Sequence, residues 1–443
     1  MCNLFFKKFK NILDIFCIII KWLSFIYWFS TNYNIIKTDI NQAKILKNKL
    51  ENLGILGIKL GQYLCTRTDI TSDIMKDELK IFLNDNKTHS IDHTMKILEE
   101  SNIINIDDIN IGDIIGSGSL NQVYHITMNN NLYQDTKLVL KIKHPEVFKL
   151  TNEIYAIKKM IKFLSCFNRF NLFINIDWDS FFNVLEEQVN LNNEKKFMEK
   201  YYNIFKNVYE ITIPKYIMGN MNFIIMTLCE GKPLNTISKD NPIYMKAHNL
   251  CICSSIHTFF CHNIIYGDVH EGNILVQDNG NISIIDFGIC IEFDEDDFNG
   301  IYAFSKFEND PSEINCYAFI KSFIHSYDIY NNNINIKELS NNVHKDYHLH
   351  QIKRMHDTFN TITSYIRKYN AYMKGKCLLF FLNSILIENL SIYNETIDMS
   401  TAIGISYMKK NNFLIDGFHL ANDYYDTIMK KIPTDLKIKY NLL

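Results

Sequence analysis

Three side chains in one short stretch have the types and spacing needed to handle a phosphate group. Asp268 is followed five positions later by Asn273, and Asp286 stands 13 residues further on, at the start of an Asp-Phe-Gly triplet. Carboxylate and amide oxygens are hard ligands suited to Mg²⁺, which makes Asn273 and Asp286 the candidate metal ligands. Asp268 is the candidate catalytic residue, since it can accept a hydrogen bond from an attacking hydroxyl and orient it. The segment predicts magnesium-dependent phosphoryl transfer.

The alternative for this segment is a chance hairpin turning at Asn279-Gly280. An Asp-Phe-Gly triplet alone is weak evidence. The whole series, however, has the order of a kinase catalytic loop followed by a strand and a metal-binding loop. That order favours the catalytic interpretation over chance.

A glycine-containing motif lies upstream, in the sequence IGSGSLNQVY at positions 115–124. It matches the kinase pattern G-x-G-x-x-G-x-V, except that Asn121 replaces the third glycine. Glycines allow a hairpin backbone to approach phosphates without obstruction by a Cβ atom. We therefore expect nucleotide binding here, by Gly116, Ser117, Gly118, Ser119, Gln122 and Val123.

Lys141 follows in the apolar run LVLKI, where kinases carry the lysine that pairs with the α- and β-phosphates. A surface lysine on an edge strand is the alternative, but the apolar neighbours favour an inward role. A helical carboxylate should pair with Lys141, and we select Glu194 from a set that also includes Glu153, Glu186 and Glu187. Met226, in the apolar run after Phe223, is expected to line the adenine pocket at a hinge between two lobes.

Strand patterns come first and helical patterns later, which predicts an α+β fold with a small β-rich lobe followed by a larger helical lobe. We divide the chain into four parts: an apolar helical segment (1–45), a helical extension (46–110), an N-terminal lobe (111–230) and a helical C-terminal lobe with the catalytic loop (231–443).

Composition restricts the possible classes further. The chain has 443 residues, 47% of them hydrophobic, with a net charge of −3, so nothing in the total charge points to nucleic acid. Its 11 cysteines are an odd number without a CxxC pair, which favours a reducing compartment over a disulfide scaffold. Cys253, His257 and Cys261 are four residues apart and could hold a metal ion, although a buried helix stripe is the favoured interpretation.

The apolar segment ending near Phe29 is the remaining feature of the sequence. It is close to the length of a membrane span, but Asp14 and Lys21 interrupt it. Three interpretations remain open: an interfacial helix, a spanning helix, and a helix packed on the protein. The first and third are favoured equally. We expect the segment to bring the protein to a membrane surface.

These motifs together resemble the UbiB/ADCK-like atypical kinases, a family associated with ubiquinone biosynthesis. The resemblance rests on four sequences: Lys59-Leu-Gly61-Gln62, Ser119-Leu-Asn-Gln122-Val123, Lys141-Ile-Lys-His144-Pro145 and Asp268-Val-His-Glu-Gly-Asn273. It implies a protein-kinase-like bilobal fold whose N-terminal helical extension covers the active site, with Lys59 and Gln62 near the nucleotide. It also implies ATP and Mg²⁺ as cofactors, a lipid-linked role and, by analogy, a mitochondrial location.

Four departures from the family pattern stand out. Gly116 and Gly118 replace an alanine-rich loop, Gln188-Val-Asn190 replaces Glu-x-Asp, Tyr266 replaces a histidine and Glu271 replaces a proline. The second departure puts the family's self-inhibition in doubt. A small-molecule kinase of the choline or aminoglycoside type and a membrane-bound pseudokinase remain alternatives to an active ATPase or kinase.

Overall fold

The computed structural model of the chain describes residues 2–66, 71–83, 88–129, 133, 136–165, 178–267, 271–326, 335–349, 355–369, 371–373 and 376–377. Its contacts divide the chain into two compact units. The first comprises Met1–Leu191 with Ile217–Met226, and the second comprises Asn192–Tyr216 with Thr227–Leu443. The first unit ends at Met226, the residue that the sequence placed at a hinge.

In the part of the chain that the structure describes, five α-helices precede the first strand. They are α1 (Cys2–Ile36), α2 (Ile40–Asn52), α3 (Ile55–Thr66), α4 (Asp73–Leu79) and α5 (Ile91–Ser101). Local sequence sets their limits. Asp39 caps α2 by accepting a hydrogen bond from the Asn41 amide at 2.7 Å, and Ser72 caps α4 through the Met75 amide. Helix α5 ends at Asn102, whose φ of 54° is the left-handed conformation that asparagine tolerates.

A five-stranded sheet follows, in the order β1-β2-β3-β6-β5. Strand β2 alternates between buried and more exposed positions with a period of two, as a strand covered on one face does. All six residues of β3 are buried, which fits its central place. The first-unit elements are β1 (Ile109–Ser117), β2 (Asn121–Met128), β3 (Leu138–Lys143), α6 (Val147–Ser165), α7 (Trp178–Val189), β5 (Tyr216–Gly219) and β6 (Phe223–Thr227).

Among the described residues of the first unit, two hydrophobic cores are found. One lies between α5 and the sheet and includes Leu98, Tyr124 and Leu140. The other core is formed by residues of α1, α2, α3, α4, α6 and α7, and we call it the extension core. The extension core also contains Leu120, the residue at the turn between β1 and β2. The glycine-containing hairpin is thus anchored in the same apolar cluster as the helical extension.

Helix α1 has two apolar faces with different surroundings. Trp22, Phe25 and Phe29 are at most 5% exposed and lie in the extension core. Phe16 and Tyr27 are 60% and 68% exposed. By length and composition, Ile15–Ile36 could cross a membrane. The packed face fits the interpretation of α1 as a helix packed on the protein, and contact of its exposed face with a membrane stays a prediction.

The second unit combines helices with short sheets. Strands β4, β10, β9 and β7 form one sheet, β11 pairs with β8, and β12 pairs with β13. The elements are α8 (Leu191–Phe205), β4 (Ile211–Thr212), β7 (Lys232–Pro233), α9 (Pro242–His262), β8 (Ile264–Tyr266), β9 (Ile274–Val276), β10 (Ile282–Ile284), β11 (Cys290–Glu292), α10 (Glu295–Asn309), α11 (Glu313–Phe323), β12 (Ile324–Ser326), α12 (Ile336–Leu349), α13 (Met355–Lys368) and β13 (Ala371–Met373). The mixture of helices and sheets is that of the α+β class.

Candidate functional site

Three predicted nucleotide-binding positions lie side by side across the first three strands. Gly116 of β1 is opposite Val123 of β2, and Val123 is opposite Lys141 of β3. Because directly opposed residues of antiparallel strands share one face of the sheet, the three positions form a row. Lys141 is only 6% exposed, so it is not a surface lysine on an edge strand. The row therefore places the charged Lys141 on the same face of the sheet as Gly116 and Val123.

The hairpin glycines are not required by the protein's own packing. A Cβ atom added at Gly116 would meet no atom within 4 Å, and one at Gly118 would meet only the Asn121 carbonyl oxygen, at 3.6 Å. Neither residue has a positive φ. The space that a side chain could occupy is open, which fits a hairpin that a phosphate group approaches closely.

The Gln122 side chain has partners within the protein. It is fully buried, on the opposite face of β2 from Val123. Its Oε1 accepts the His89 amide hydrogen at 2.8 Å, and its Nε2 donates to the Tyr124 hydroxyl at 2.5 Å. The amide therefore ties the hairpin to the segment before α5, and contact of Gln122 with nucleotide stays a prediction.

His144, from the Lys-x-x-His-Pro motif, also holds the hairpin. Its Nε2 lies 3.0 Å from the Gly118 carbonyl oxygen, and its backbone amide donates to the Leu120 carbonyl at 2.9 Å. Its Nδ1 is 2.7 Å from Nδ1 of His89. His89 Nε2 in turn contacts the Thr94 hydroxyl at 2.9 Å. We call His89, Gln122 and His144 the hairpin clamp.

Burial dominates the electrostatics of the hairpin clamp. Loss of hydration, reinforced by the neighbouring His144 and His93, lowers the pKa of His89 to about 4, and burial also lowers the pKa of His144. Both rings are thus mainly neutral at pH 7, and in their Nδ1–Nδ1 contact one nitrogen donates and the other accepts. Sequence reasoning missed His89, and only its position shortly before a helix start could have drawn attention to it.

The candidate metal ligands lie at one end of a hairpin in the second unit. Strands β9 and β10 are antiparallel, with Ile274 opposite Ile284. Asn273 precedes β9, and its carbonyl accepts the Ile285 amide hydrogen at 3.2 Å. Asp286 is the next residue, so both candidate ligands leave the hairpin at the same end. Asp286 Oδ1 accepts the Gly288 amide hydrogen at 2.8 Å, which orients the carboxylate.

Aromatic packing fixes the segment that carries Asp286. Phe287 is fully buried, with its ring centroid 5.0 Å from that of Tyr201 on α8 and 6.0 Å from that of Tyr266. Tyr266, which replaces the family histidine, therefore belongs to this cluster. Gly267 follows it, and a Cβ there would lie 2.8 Å from the Ile289 side chain, so the chain approaches too closely for a larger residue.

Glu271, which replaces the family proline, has a structural partner. The Tyr244 hydroxyl of α9 donates to its Oε1 at 2.8 Å. Nearby, Gly231 has a φ of 134°, and an added Cβ would lie 2.9 Å from the backbone of Val276. The turn from Glu271 to Asn273 and the strand β7 are thus both fixed by local contacts in the second unit.

The remaining predicted residues fall in well-defined places. Glu194 lies in the first turn of α8 and is 2% exposed, whereas Glu186 is paired with Lys158 at 3.0 Å. Met226 is 5% exposed in β6. Burial thus favours Glu194 over Glu186, and its pairing with Lys141 stays a prediction.

The Lys-x-Gly-Gln motif lies on α3, which packs in the extension core. Gln62 Nε2 donates to the Phe82 carbonyl at 2.7 Å, so its amide fastens α3 to the turn after α4. A Cβ added at Gly61 would lie 2.4 Å from the Phe82 ring, which makes glycine obligatory for this packing. Lys59 is half-buried, and its proximity to nucleotide stays a prediction.

Some predicted features fall outside the described residues. Asp268 is among them, as are residues 67–69 and the side chains of Cys253 and Cys261. His257 is described and is buried, with its ring 5.2 Å from that of His262. Among the described residues, no group of three or more His, Cys, Asp or Glu side chains is placed to hold a metal ion.

Comparison with known proteins defines the class. Residues 110–307 match the family model of the ABC1 atypical kinase-like domain. These residues, which contain mixed helices and sheets, are therefore similar to a kinase-like domain, in agreement with the resemblance to the UbiB/ADCK-like atypical kinases.

The relatives come from several organisms. The chain is 25% identical over 286 residues to the protein Activity of BC1 complex kinase 1, chloroplastic, of Arabidopsis thaliana, a match covering 61% of this chain and 41% of that protein. It is 24% identical to the mitochondrial ABC1 family protein YPL109C of Saccharomyces cerevisiae, over 60% of this chain and 47% of that protein. It is 23% identical to the probable serine/threonine-protein kinase abkC of Dictyostelium discoideum, over 55% and 36%. The chain thus spans less than half the length of these relatives.

Proposed function

We propose that the chain binds Mg-ATP and transfers or hydrolyses its terminal phosphoryl group, as an atypical kinase or ATPase of the UbiB/ADCK type. The observation that carries the proposal is the row of Gly116, Val123 and Lys141, with open space at both hairpin glycines. A buried lysine beside such a hairpin fits the α- and β-phosphates of a nucleotide. The ABC1 atypical kinase-like domain match supports the same class.

The second unit contributes the groups suited to the metal and the transferred phosphoryl. Asn273 and Asp286 offer an amide and a carboxylate oxygen at one hairpin end, a donor set that fits Mg²⁺. When bound, Mg²⁺ neutralises charge that develops on the phosphate oxygens. Asp268 is proposed to orient the attacking hydroxyl or water, and Glu194 to hold Lys141. Met226 is proposed to line the adenine site.

The test combines binding with turnover. Thermal unfolding of the purified chain should shift upward with MgATP, because a ligand that binds only the folded state stabilises it. ATP hydrolysis should be detectable and should require Mg²⁺. Lys141→Met, which keeps the side-chain length, should abolish both. Binding without turnover in the wild-type chain would indicate a pseudokinase instead, and no shift at millimolar MgATP would overturn the proposal.

We further propose that the exposed face of α1 attaches the protein to a lipid surface, which would place a lipid or phenolic substrate within reach. The supporting observation is the contrast within α1: its packed face is in the extension core, yet Phe16, Ile20 and Tyr27 are at least 50% exposed. Bulky apolar and aromatic residues at such a face favour the interface between water and lipid. Of the relatives named above, the Arabidopsis thaliana protein is chloroplastic and the Saccharomyces cerevisiae protein is mitochondrial. For this chain we propose attachment to a lipid surface and name no organelle.

A further inference from the structure

Three electron-pair-bearing atoms meet at one point in the second unit, away from the site described above. His344 and His348 lie one turn apart on α12 and direct their Nε2 atoms at the same backbone carbonyl. Nε2 of His344 is 3.0 Å from the Pro311 oxygen, and Nε2 of His348 is 2.8 Å from it. The two Nε2 atoms are 3.1 Å apart.

Hydrogen bonds satisfy this triangle poorly. A carbonyl oxygen only accepts, and a neutral imidazole has one ring nitrogen that donates and one that accepts. If both Nε2 atoms carry hydrogen, the two N–H groups oppose each other at 3.1 Å; if only one does, its single hydrogen is shared between two acceptors. A cation at the open side of the triangle interacts favourably with all three atoms at once.

The dimensions of the triangle match those of a coordination sphere. Imidazole nitrogens bind Zn²⁺ at about 2.0–2.1 Å. Adjacent ligands at that distance are about 2.8–3.0 Å apart around an octahedral ion, since the octahedron edge is the bond length multiplied by the square root of two, and about 3.3–3.4 Å apart around a tetrahedral ion. The three observed separations of 2.8, 3.0 and 3.1 Å agree with one triangular face of such an octahedron.

The surrounding packing already holds the three atoms in place. Helix α12 buries Leu339 and Val343, and the Cys316 thiol of α11 contacts the Ser340 carbonyl at 3.3 Å. On the other side, Ser312 caps α11 through the Asn315 amide, which fixes the residue that follows Pro311. Little order has to be imposed when a ligand binds, which favours affinity.

We propose that His344, His348 and the Pro311 carbonyl form a binding site for a divalent first-row transition metal, with water completing the sphere. Imidazole nitrogen selects zinc, copper or nickel over magnesium or calcium. The site is distinct from the magnesium ligands Asn273 and Asp286. It would clamp α12 to the segment between α10 and α11, so its role is structural or regulatory rather than catalytic.

The experiment is zinc titration by isothermal calorimetry on the full chain, freed of any polyhistidine tag and of bound metal. Wild type is compared with His344→Gln, His348→Gln and the double variant. His125→Gln, at an exposed position on β2, is the control. We expect the control to bind as wild type does and each single variant to bind at least about tenfold more weakly, since even the partners of metal ligands contribute that much. The double variant should lose one equivalent of zinc.

Copper provides an independent readout of the ligands. With one equivalent of Cu²⁺, electron paramagnetic resonance of the wild-type chain should show coupling to two nitrogens, and this pattern should be lost in the double variant. Because His348 is exposed and His344 is only half-buried, circular dichroism and the zinc-free melting temperature should stay unchanged in the variants. Zinc stoichiometry and copper spectra that are the same in the wild type and the double variant would overturn the proposal.

Discussion

Two features orient Asp286. Its Oδ1 accepts the backbone amide hydrogen of Gly288, and the neighbouring Phe287 is buried. The carboxylate is thereby held in one orientation by contacts within the second unit. Positioning of this kind matters for phosphoryl transfer, where catalysis consists mainly of holding charges in place.

Asp286→Asn should abolish the magnesium-dependent part of the thermal shift produced by ATP. The amide keeps the size of the side chain but removes the charge that holds the ion. At a MgATP concentration 100 times the dissociation constant, wild type should gain about 2.7 kcal/mol. Asp278→Asn, at an exposed carboxylate in the β9–β10 turn, is the matched control and should behave as wild type. An equal magnesium-dependent shift in Asp286→Asn would remove this residue from the proposed metal site.

Gly116→Ala should separate folding from nucleotide binding. The added methyl group meets no protein atom within 4 Å, so the melting temperature without ligand should be unchanged or slightly higher. The same methyl group occupies the space proposed for phosphate, so the dissociation constant for MgATP should rise, by about tenfold or more for a lost charge-assisted contact. Calorimetric titration of both proteins decides, and unchanged affinity would argue against a phosphate at this hairpin.

Acid should weaken the first unit through the hairpin clamp. The pKa of His89 falls from its ordinary value to about 4 in the folded chain, so the unfolded chain takes up more protons between those values. The stabilisation is therefore complete above about pH 6.5 and is lost as pH falls toward 4. The melting temperature should decline over that range, and His89→Asn should reduce the slope. His125→Asn is the control; a slope equal to wild type in His89→Asn would exclude the clamp as its source.

At the scale of elements, the strands around the hairpin were predictable from the sequence. Short apolar runs bounded by glycine and asparagine are typical of strands, and they can be recognised without knowledge of distant contacts. Strands β1, β2 and β3 all occur where these runs stand. The contacts of Gln122 were not predictable in this way, because its partner His89 is 33 residues distant and belongs to a polar segment with no pattern of its own. The role of Tyr266 was likewise not predictable, because it depends on packing against the rings of Tyr201 and Phe287.

The contact between α3 and the turn after α4 depends on the absence of a side chain at Gly61. Gly61→Ala should destabilise the protein by about 1–2 kcal/mol, since overpacking against the buried Phe82 ring outweighs the better helix propensity of alanine. In a Phe82→Ala background the sign should reverse, with a gain of about 1 kcal/mol, because the obstructing ring is gone. Chemical denaturation of the four proteins of this cycle measures both effects. A destabilisation that persists without the ring would point to another cause.

At the scale of the whole molecule, one face of α1 belongs to the extension core and another is exposed. Removing residues before position 40 would delete Trp22, Phe25 and Phe29 from the extension core, so a shortened chain would test folding and membrane attachment together. Substitutions confined to the exposed face distinguish the two.

The triple variant Phe16→Ser, Ile20→Ser and Tyr27→Ser should lose most co-sedimentation with anionic liposomes while keeping the wild-type melting temperature. Each of these side chains is at least 50% exposed, so its replacement removes apolar area from the lipid-facing side and not from the core. Trp22→Ala is the contrasting variant; it should lower stability by about 3–5 kcal/mol as a core truncation. Equal sedimentation of the triple variant and wild type would exclude this face as the attachment surface.

The placement of the tryptophans has a spectroscopic consequence. The chain has three tryptophans: Trp22, Trp28 and Trp178. All of them lie in or against the extension core, which also contains Leu120 of the glycine-containing hairpin. Intrinsic tryptophan emission is therefore an optical probe of the first unit alone, and melting of the second unit is silent in this signal. Where the units unfold separately, emission and far-ultraviolet circular dichroism should give different midpoints. A change in emission on adding MgATP would, for the same reason, report movement transmitted from the hairpin through Leu120.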